Sequence, residues 1–451
     1  MDTRRVDERR DGDPEPADVR PTADAAFVAR GRIDRSPSAR RAQLVAIGTV
    51  IAIGGAILVA SGNPGRTPNA SPGPGATVPV AVATPAPSRA PWTWDPIELR
   101  GYGRGATVEG LWVVGDRFAA EVETDDGPDG GPYGPVASAL LTSTDGRNWE
   151  QFELPVPGFL VEAGVVVDGR LVVYGHDGTP EARWQAWSTV DGEWRREPDP
   201  VGLAIGPARV EALAWGGCHG DAPCAGYVAG VTEDVSSAFE ELRISEDGIS
   251  WWVPEVEDIG PYSVRGVVWQ GGRWHALVVQ RSTPPGSTIT GVLTSTDLQT
   301  WEWAEIAALA GGGRGIAASE DRVVIVGAEE MRGVRSPRAW LWDGTTWELV
   351  APDVLPGRQP TGAELVLSTE PGFVSLSAFN GDAWLAIPGL GWQGRVVIEA
   401  TPGDAVRTLV TNGEVIVAGG RSAAGRPTFW TGDLDALFEG LPRDAAAGTQ
   451  M

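Results

Sequence analysis

From Trp92 to the end of the chain, short apolar runs alternate with Gly, Pro and Asp turns, and helical periodicity is almost absent. Runs of this length, bounded by turn residues, predict an all-β chain. A corner of fixed pattern closes many of the runs. It reads Ser143-Thr144-Asp145-Gly146-Arg147-Asn148-Trp149, then Ser245-Glu246-Asp247-Gly248-Ile249-Ser250-Trp251, then Ser295-Thr296-Asp297-Leu298-Gln299-Thr300-Trp301. Looser copies are Asp191-Gly192-Glu193-Trp194 and Asp343-Gly344-Thr345-Thr346-Trp347. An Asp side chain accepts from the backbone two residues on, and Gly tolerates the left-handed position of a tight turn.

Upstream of each corner lies a hairpin, such as Val165-Val166-Val167-Asp168-Gly169-Arg170-Leu171-Val172-Val173, with Asn412-Gly413 playing the same part later. Asp-Gly and Asn-Gly are strong hairpin turns. One repeat therefore reads strand A, tight turn, strand B, longer loop, strand C, Asp corner, strand D. Four antiparallel strands every ~45 residues predict a propeller blade. Strand groups ending at 149, 194, 251, 301, 347 and 392, with a final A-B-C set near 405–431, predict a seven-bladed β-propeller of four-stranded antiparallel blades over 92–451. A solenoid or two sandwiches fits the matching chain ends less well. Trp94-Asp95-Pro96-Ile97-Glu98-Leu99 aligns with Trp149-Glu150-Gln151-Phe152-Glu153-Leu154, so the N-terminal strand is expected to complete the last blade. Leu434 to Leu441 is expected to form a short helix or cap.

Ahead of the repeats the pattern changes three times. Residues 1–41 are rich in Arg, Asp, Pro and Ala, a composition that buries too little apolar surface to order itself. Residues 42–61 are uncharged and nearly all apolar, close to the ~20 residues of a transmembrane helix. Arg30, Arg32, Arg35, Arg40 and Arg41 precede that stretch, which predicts a single-pass anchor with a cytoplasmic N-terminus and the propeller outside the cell membrane. A cleaved signal peptide is the rival reading, and the long charged segment before the stretch weighs against it. Residues 62–91 are dense in Pro, Gly, Ser and Thr and read as a semi-extended linker.

Composition narrows the picture. The chain has 20 Trp against 5 Tyr and 9 Phe, which points to a repeated structural task for Trp. Its net charge is −24, concentrated after residue 91, and such a surface repels nucleic acid.

The Ser-x-Asp-Gly-x-x-Trp corner resembles the Asp-box, or BNR, repeat of sialidase-like β-propellers. The family pattern is Ser-x-Asp-x-Gly-x-x-Trp, so the loop here is one residue short. The resemblance covers Asp145, Asp247 and Asp297 well, and Asp191 and Asp343 in part. It implies a fold element on the face away from a sialidase's catalytic pocket, and hence architecture without glycosidase activity. It also implies what a sialidase would need, namely three arginines for a carboxylate, a Tyr nucleophile paired with Glu, and a carboxylic acid/base. No Phe/Tyr-Arg-Ile-Pro motif is present, and Tyr102 and Tyr262 sit without a diagnostic partner.

One periodic feature carries candidate chemistry. Arg209, Arg265, Arg314 and Arg407 recur near the start of strand A, and Glu109, Glu162 and Glu364 occupy or adjoin the matching positions. All are expected to ring one mouth of the central channel. Two readings follow. The arginines form an anion pocket, giving bidentate hydrogen bonds to a carboxylate or phosphate; or Arg and Glu neutralise one another in a sealed rim, which alternating signs around a buried ring favour.

Other candidates are weaker. Cys218 and Cys224 lie in one turn and are expected to form a local disulfide, with a metal site including His219 and Asp221 as the alternative. Asp125, Asp126 and Asp129 could hold Ca²⁺, but no Glu follows at EF-hand spacing. The Gly311–Gly313 run precedes a strand, so it is no phosphate loop. No Ser/His/Asp constellation is visible. Neither a cofactor nor a metal is expected. The reading is a membrane-anchored module that binds a protein, peptide or glycan without catalysis, with a sialidase-like glycoside hydrolase as the alternative.

Overall fold

The computed structural model describes Trp94 to Glu439, apart from 125–136, 178–182, 205–207, 218–224, 233–240, 257–258, 282–287, 307–312, 332–333, 343, 351–364, 371, 377–381, 388–390 and 397–404. Within it the chain is a β-propeller. Each blade opens with an inner strand that hairpins outward. In the first blade β2 (Thr107–Val114), β3 (Arg117–Thr124), β4 (Ala137–Ser143) and β5 (Glu150–Phe152) pair in sequence order. The second blade repeats this with β6 (Leu160–Val167), β7 (Arg170–His176), β8 (Gln185–Val190) and β9 (Glu193–Arg196).

The remaining inner strands are β10 (Arg209–Trp215), β14 (Tyr262–Gln270), β18 (Gly313–Ala318), β22 (Leu365–Thr369) and β26 (Ala405–Thr411). They touch in the order β2–β6–β10–β14–β18–β22–β26 and back to β2, so the first strand of every sheet lines a common axis. The N-terminal strand β1 (Asp95–Glu98) pairs antiparallel with β28 (Pro427–Asp433), outside β27 (Val415–Arg421) and β26, with Asp95 opposite Thr431 and Glu98 opposite Thr428. The first and last strands of the described residues thereby share one sheet, which closes the ring.

The expectation of seven equal four-stranded blades is corrected by this topology. Six sheets contain a complete four-stranded antiparallel blade; the sheet of β10, β11 (Tyr227–Thr232) and β12 (Glu241–Ser245) has three strands. Its outer position is reduced to a single bridge between Ile244 and Trp252. Pro254 follows two residues later and offers no N–H to a ladder, so the strand stops there. The chain resumes as β13 (Glu255–Val256), which runs parallel to β17 (Thr300–Glu305) in the next sheet.

The apolar faces pack between neighbouring blades. Trp274, Leu242, Ile244 and Val264 are fully buried in one such cluster, and the Trp274 indole N–H donates to the Ala225 carbonyl at 2.9 Å. Glycines let inner strands pass close to large rings. A Cβ on Gly110 or Gly164 would lie 2.4 or 2.5 Å from the Trp112 ring, whose Nε1 donates to the Gly164 carbonyl. The C-terminal element α1 (Leu434–Phe438) is capped by Asp433, whose side chain accepts from the Ala436 N–H at 2.8 Å, and it buries Leu434, Leu437 and Phe438 against Trp94 and Trp430.

The membrane placement is also corrected. The predicted tail at 1–41, helix at 42–61 and linker at 62–91 lie outside the described residues. Among the described residues no helix is long and apolar enough to cross a membrane. The helix α1 has 5 residues, where a span needs ~20. The single-pass, cell-membrane assignment is therefore not retained.

Candidate functional site

Each of six inner strands carries a β-bulge at the same place. The register breaks between Val108 and Gly110, Val161 and Ala163, Val210 and Ala212, Val264 and Gly266, Gly313 and Gly315, and Val406 and Thr408. The extra residues are Glu109, Glu162, Glu211, Arg265, Arg314 and Arg407. A bulge leaves one residue out of the ladder and re-aims its side chain. Here that residue is charged in every case. Glu162 is half-buried and the other five are exposed, although the strands that carry them are the innermost of the fold. Exposure on an inner strand means exposure to the channel.

Arg209 is displaced by this register. It stands two residues before the bulge, paired with Thr232, and Glu211 holds the position aligned with Glu109 and Glu162. Arg209 is exposed at the same mouth. The chain does give a signal that separates the two, because the bulge residue is flanked by Val or Gly before it and a small residue after it: Val-Glu-Gly, Val-Glu-Ala, Val-Glu-Ala, Val-Arg-Gly, Gly-Arg-Gly and Val-Arg-Thr. Glu364 lies outside the described residues, as do Cys218, Cys224, His219, Asp221, Asp343 and the Asp125, Asp126 and Asp129 loop.

The signs do not alternate. Glu109, Glu162 and Glu211 stand on three consecutive sheets, and Arg265 and Arg314 on the next two, with Arg407 on the sheet that closes onto the first. Among the described residues no ion pair joins Arg209, Arg265, Arg314 or Arg407 to any of these glutamates. The charges nevertheless share one space. Burial among the blades pushes the Glu109 carboxyl above its ordinary range, Arg407 pulls it back, Glu123 adds to the rise, and Arg209 and Arg421 lower it again. Its tip meets water while protein surrounds it, the setting of a channel wall.

Behind this ring sits a layer that sequence reasoning missed. On strand β3, Glu121 is 6% exposed, in the register position that Tyr174, Gly230, Leu277, Val326 and Gly419 hold in other blades. The Ser138 hydroxyl donates to Glu121 Oε1 at 2.9 Å and accepts from the Val161 N–H at 3.0 Å, which ties the first blade to the second. Thr290 makes the same joint later, accepting from the Gly313 N–H at 3.2 Å. Burial holds the Glu121 carboxyl well above the usual range, partly offset by Ser138 and reinforced by Glu123, Glu109 and Glu162. In the second blade His176 Nε2 lies 3.3 Å from Glu162 Oε1, with the imidazole buried edge-on against Trp184 at 5.6 Å. No single-residue signal marks Glu121, because Arg117–Thr124 reads as an ordinary half-polar strand.

Among the described residues no group of three or more His, Cys, Asp or Glu side chains could hold a metal ion. Tyr174 is committed elsewhere, donating to the Gly248 carbonyl at 3.3 Å between blades. A separate open groove of about 400 Å³ lies on the outer rim beside Ile97, Leu99, Tyr102, Arg147 and Trp149.

The opposite end of the blades holds the corners. Asp145 Oδ1 accepts from the N–H groups of Arg147 and Asn148, each at 2.8 Å, and the Trp149 indole donates to the Gly146 carbonyl at 2.9 Å. Asp247 and Asp297 repeat this with Ile249 and Ser250, and with Gln299 and Thr300. Asp191 differs, since it and Gly192 are the two left-handed residues of a tight β8–β9 hairpin, at φ 52° and 83°.

No family model matches the chain, and no curated protein matches it. The Asp-box resemblance thus rests on corner geometry alone. Three of the solved structures similar to it share low identity with it. The propeller domain of the Trilobed protease from Pyrococcus furiosus shares 10% identity over 73% of this chain and 96% of its own, at a TM-score of 0.44. A catalytically inactive virginiamycin B lyase from Staphylococcus aureus with quinupristin shares 10% identity over 75% of this chain and 99% of its own, at 0.47. A subtype N11 neuraminidase-like protein shares 8% identity over 59% of this chain and 85% of its own, at 0.36.

Proposed function

We propose that the protein is a binding module, without catalysis, that takes a protein, peptide or glycan ligand at the bulged mouth of its channel. The observation that carries this reading is the ring of bulge residues, charged in all six cases, with its arginines in no ion pair to the rim glutamates among the described residues. A sealed rim would have closed those pairs, since a buried charge without a partner is costly. Arginines held apart from acids keep their planar, five-donor heads for a guest.

Catalysis has one feature in its favour, the buried carboxyl of Glu121, which burial holds well above the usual carboxylate range. That group is 6% exposed and engaged with Ser138, so it has poor access to a substrate. The test is a glycan and peptide binding screen with the full chain and with Arg265→Ala and Arg314→Ala, run beside a fluorogenic sialoside assay. Binding that the two variants weaken by about tenfold or more supports the reading. Sialoside turnover, or binding indifferent to both variants, overturns it.

A further inference from the structure

We infer that the ligand of this mouth is a zwitterion of the amino-carboxylate class, such as a short free peptide, with its ammonium on the Glu109–Glu162–Glu211 arc and its carboxylate on Arg265 and Arg314. The inference rests on the binding reading above and names the ligand chemistry for the same site.

The argument is geometric. Seven inner strands close into one ring, so strands three or four steps apart face each other across the axis. Glu109 on β2 therefore lies across from Arg265 on β14 and Arg314 on β18, and Glu162 on β6 lies across from Arg314. The bulges place all four at the same level, because each interrupts its ladder at the same register position. The mouth thus has an acidic arc facing Arg265 and Arg314, with Arg407 on the sheet beside Glu109 and Arg209 on the strand of Glu211, and no ion pair joins these arginines to the three glutamates among the described residues.

That arrangement selects by both signs. A polyanion would meet three glutamates from consecutive sheets, and a polycation would meet two arginines opposite them. Either juxtaposition of like charges is unfavourable and excludes the wrong guest. A guest with one charge of each sign satisfies both sides. Its carboxylate receives two N–H donors from a guanidinium fork, and its ammonium donates to carboxylates.

The test uses calorimetric titration of the full chain with a library of short free peptides and the same peptides N-acetylated or C-amidated. Variants are Glu109→Gln and Arg314→Ala, both at exposed positions where folding is not at stake, as circular dichroism would verify. Each blocking group is expected to weaken binding by about tenfold or more, the scale of a lost charge-assisted hydrogen bond. Arg314→Ala should abolish the penalty for amidation and leave that for acetylation; Glu109→Gln should do the reverse. Blocked and free peptides binding alike, or glycans binding where no peptide does, overturns the zwitterion while the mouth variants still weaken the binding that remains. Binding untouched by both variants overturns the mouth as the site as well.

Discussion

At the corner end of three blades, Asp145, Asp247 and Asp297 each direct one carboxylate oxygen at two backbone N–H groups of their own turn. At the mouth end, Glu109, Glu211, Arg265, Arg314 and Arg407 hold their charges out to the channel. Both ends repeat with the blade, and both are polar. The corner repeats one residue type because its chemistry is satisfied within the turn. The mouth repeats a backbone device, the bulge, and varies the side chain that the device presents. A position that keeps its geometry and changes its charge is what the proposed binding function requires.

The largest effect belongs to the corner. Trp251 is buried, stands edge-on to Tyr174 at 5.9 Å, and donates to the Gly248 carbonyl at 3.0 Å. Trp251→Ala should cost about 3–5 kcal/mol in urea unfolding, the range for deleting a large buried ring. A loss under 1 kcal/mol would show that the corner is ornament on the blade.

Acid sharpens the contrast next. Burial, helped by Arg273, lowers the buried imidazole of His275 from 6.5 to about 4. A folded value below the unfolded one means stability complete above pH 6.5 and lost as pH falls through 4, by about 3 kcal/mol. The corners add to the same acid loss. Backbone N–H donation from Asn148 holds Asp145 far below the ordinary range, and Thr300 does the same for Asp297, so their contribution fades only in stronger acid. His275→Leu should flatten the pH 6.5–4 limb of a thermal-unfolding profile; an unchanged limb would place the acid loss elsewhere.

Leu298 tests how strict the corner is. It holds φ 66°, where Gly146 and Gly248 hold 69° and 75°, and it is 5% exposed. Left-handed backbone costs a non-glycine about 1 kcal/mol, and losing a buried leucine costs about 2–5. Leu298→Gly should therefore destabilise by about 2 kcal/mol in chemical unfolding. A gain in stability would mean that the strain outweighs the packing.

The buried layer behind the mouth responds to rising pH. The folded Glu121 carboxyl titrates above its unfolded value, so stability declines as pH rises past the ordinary glutamate range towards the folded value. Glu121→Gln keeps an acceptor for Ser138 and removes the titration. It should raise stability above the ordinary glutamate range by on the order of 1 kcal/mol, and unfolding curves at two pH values in that range would show a smaller difference than in the parent chain.

Much of this architecture was legible in advance. The corner motif marked three of the turns between outer strands because its Asp, Gly and Trp act locally, within one turn, but it did not fix the number of complete blades. The alignment of Trp94–Leu99 with Trp149–Leu154 foretold the closing strand for the same reason. Locality is also why the weaker blade was missed: Trp251 carries a full corner, and only Pro254 beyond it shortens the sheet. The mouth was half legible. Charged residues at the start of strand A are visible in the chain, but blade three carries two of them, and the bulge selects Glu211 rather than Arg209 two residues before it. Glu121 was out of reach, since its burial depends on the second blade packing over it.

The smallest predicted effect is the one that separates the two ends most sharply. Arg265 and Arg314 are exposed and sit in no ion pair among the described residues. Replacing either by Ala removes no apolar contact of the core and exposes no buried partner, so unfolding free energies should shift by no more than about 0.5 kcal/mol. The same substitution at a corner aspartate leaves two backbone N–H groups without their acceptor and should cost about 1–2 kcal/mol, the range for losing a cap of this kind. If Arg314→Ala and Asp247→Ala destabilise alike in parallel urea titrations, the mouth charges are part of the scaffold. If only Asp247→Ala does, the arginines are dispensable to the fold, and their presence at every step of the basic arc needs a partner from outside it.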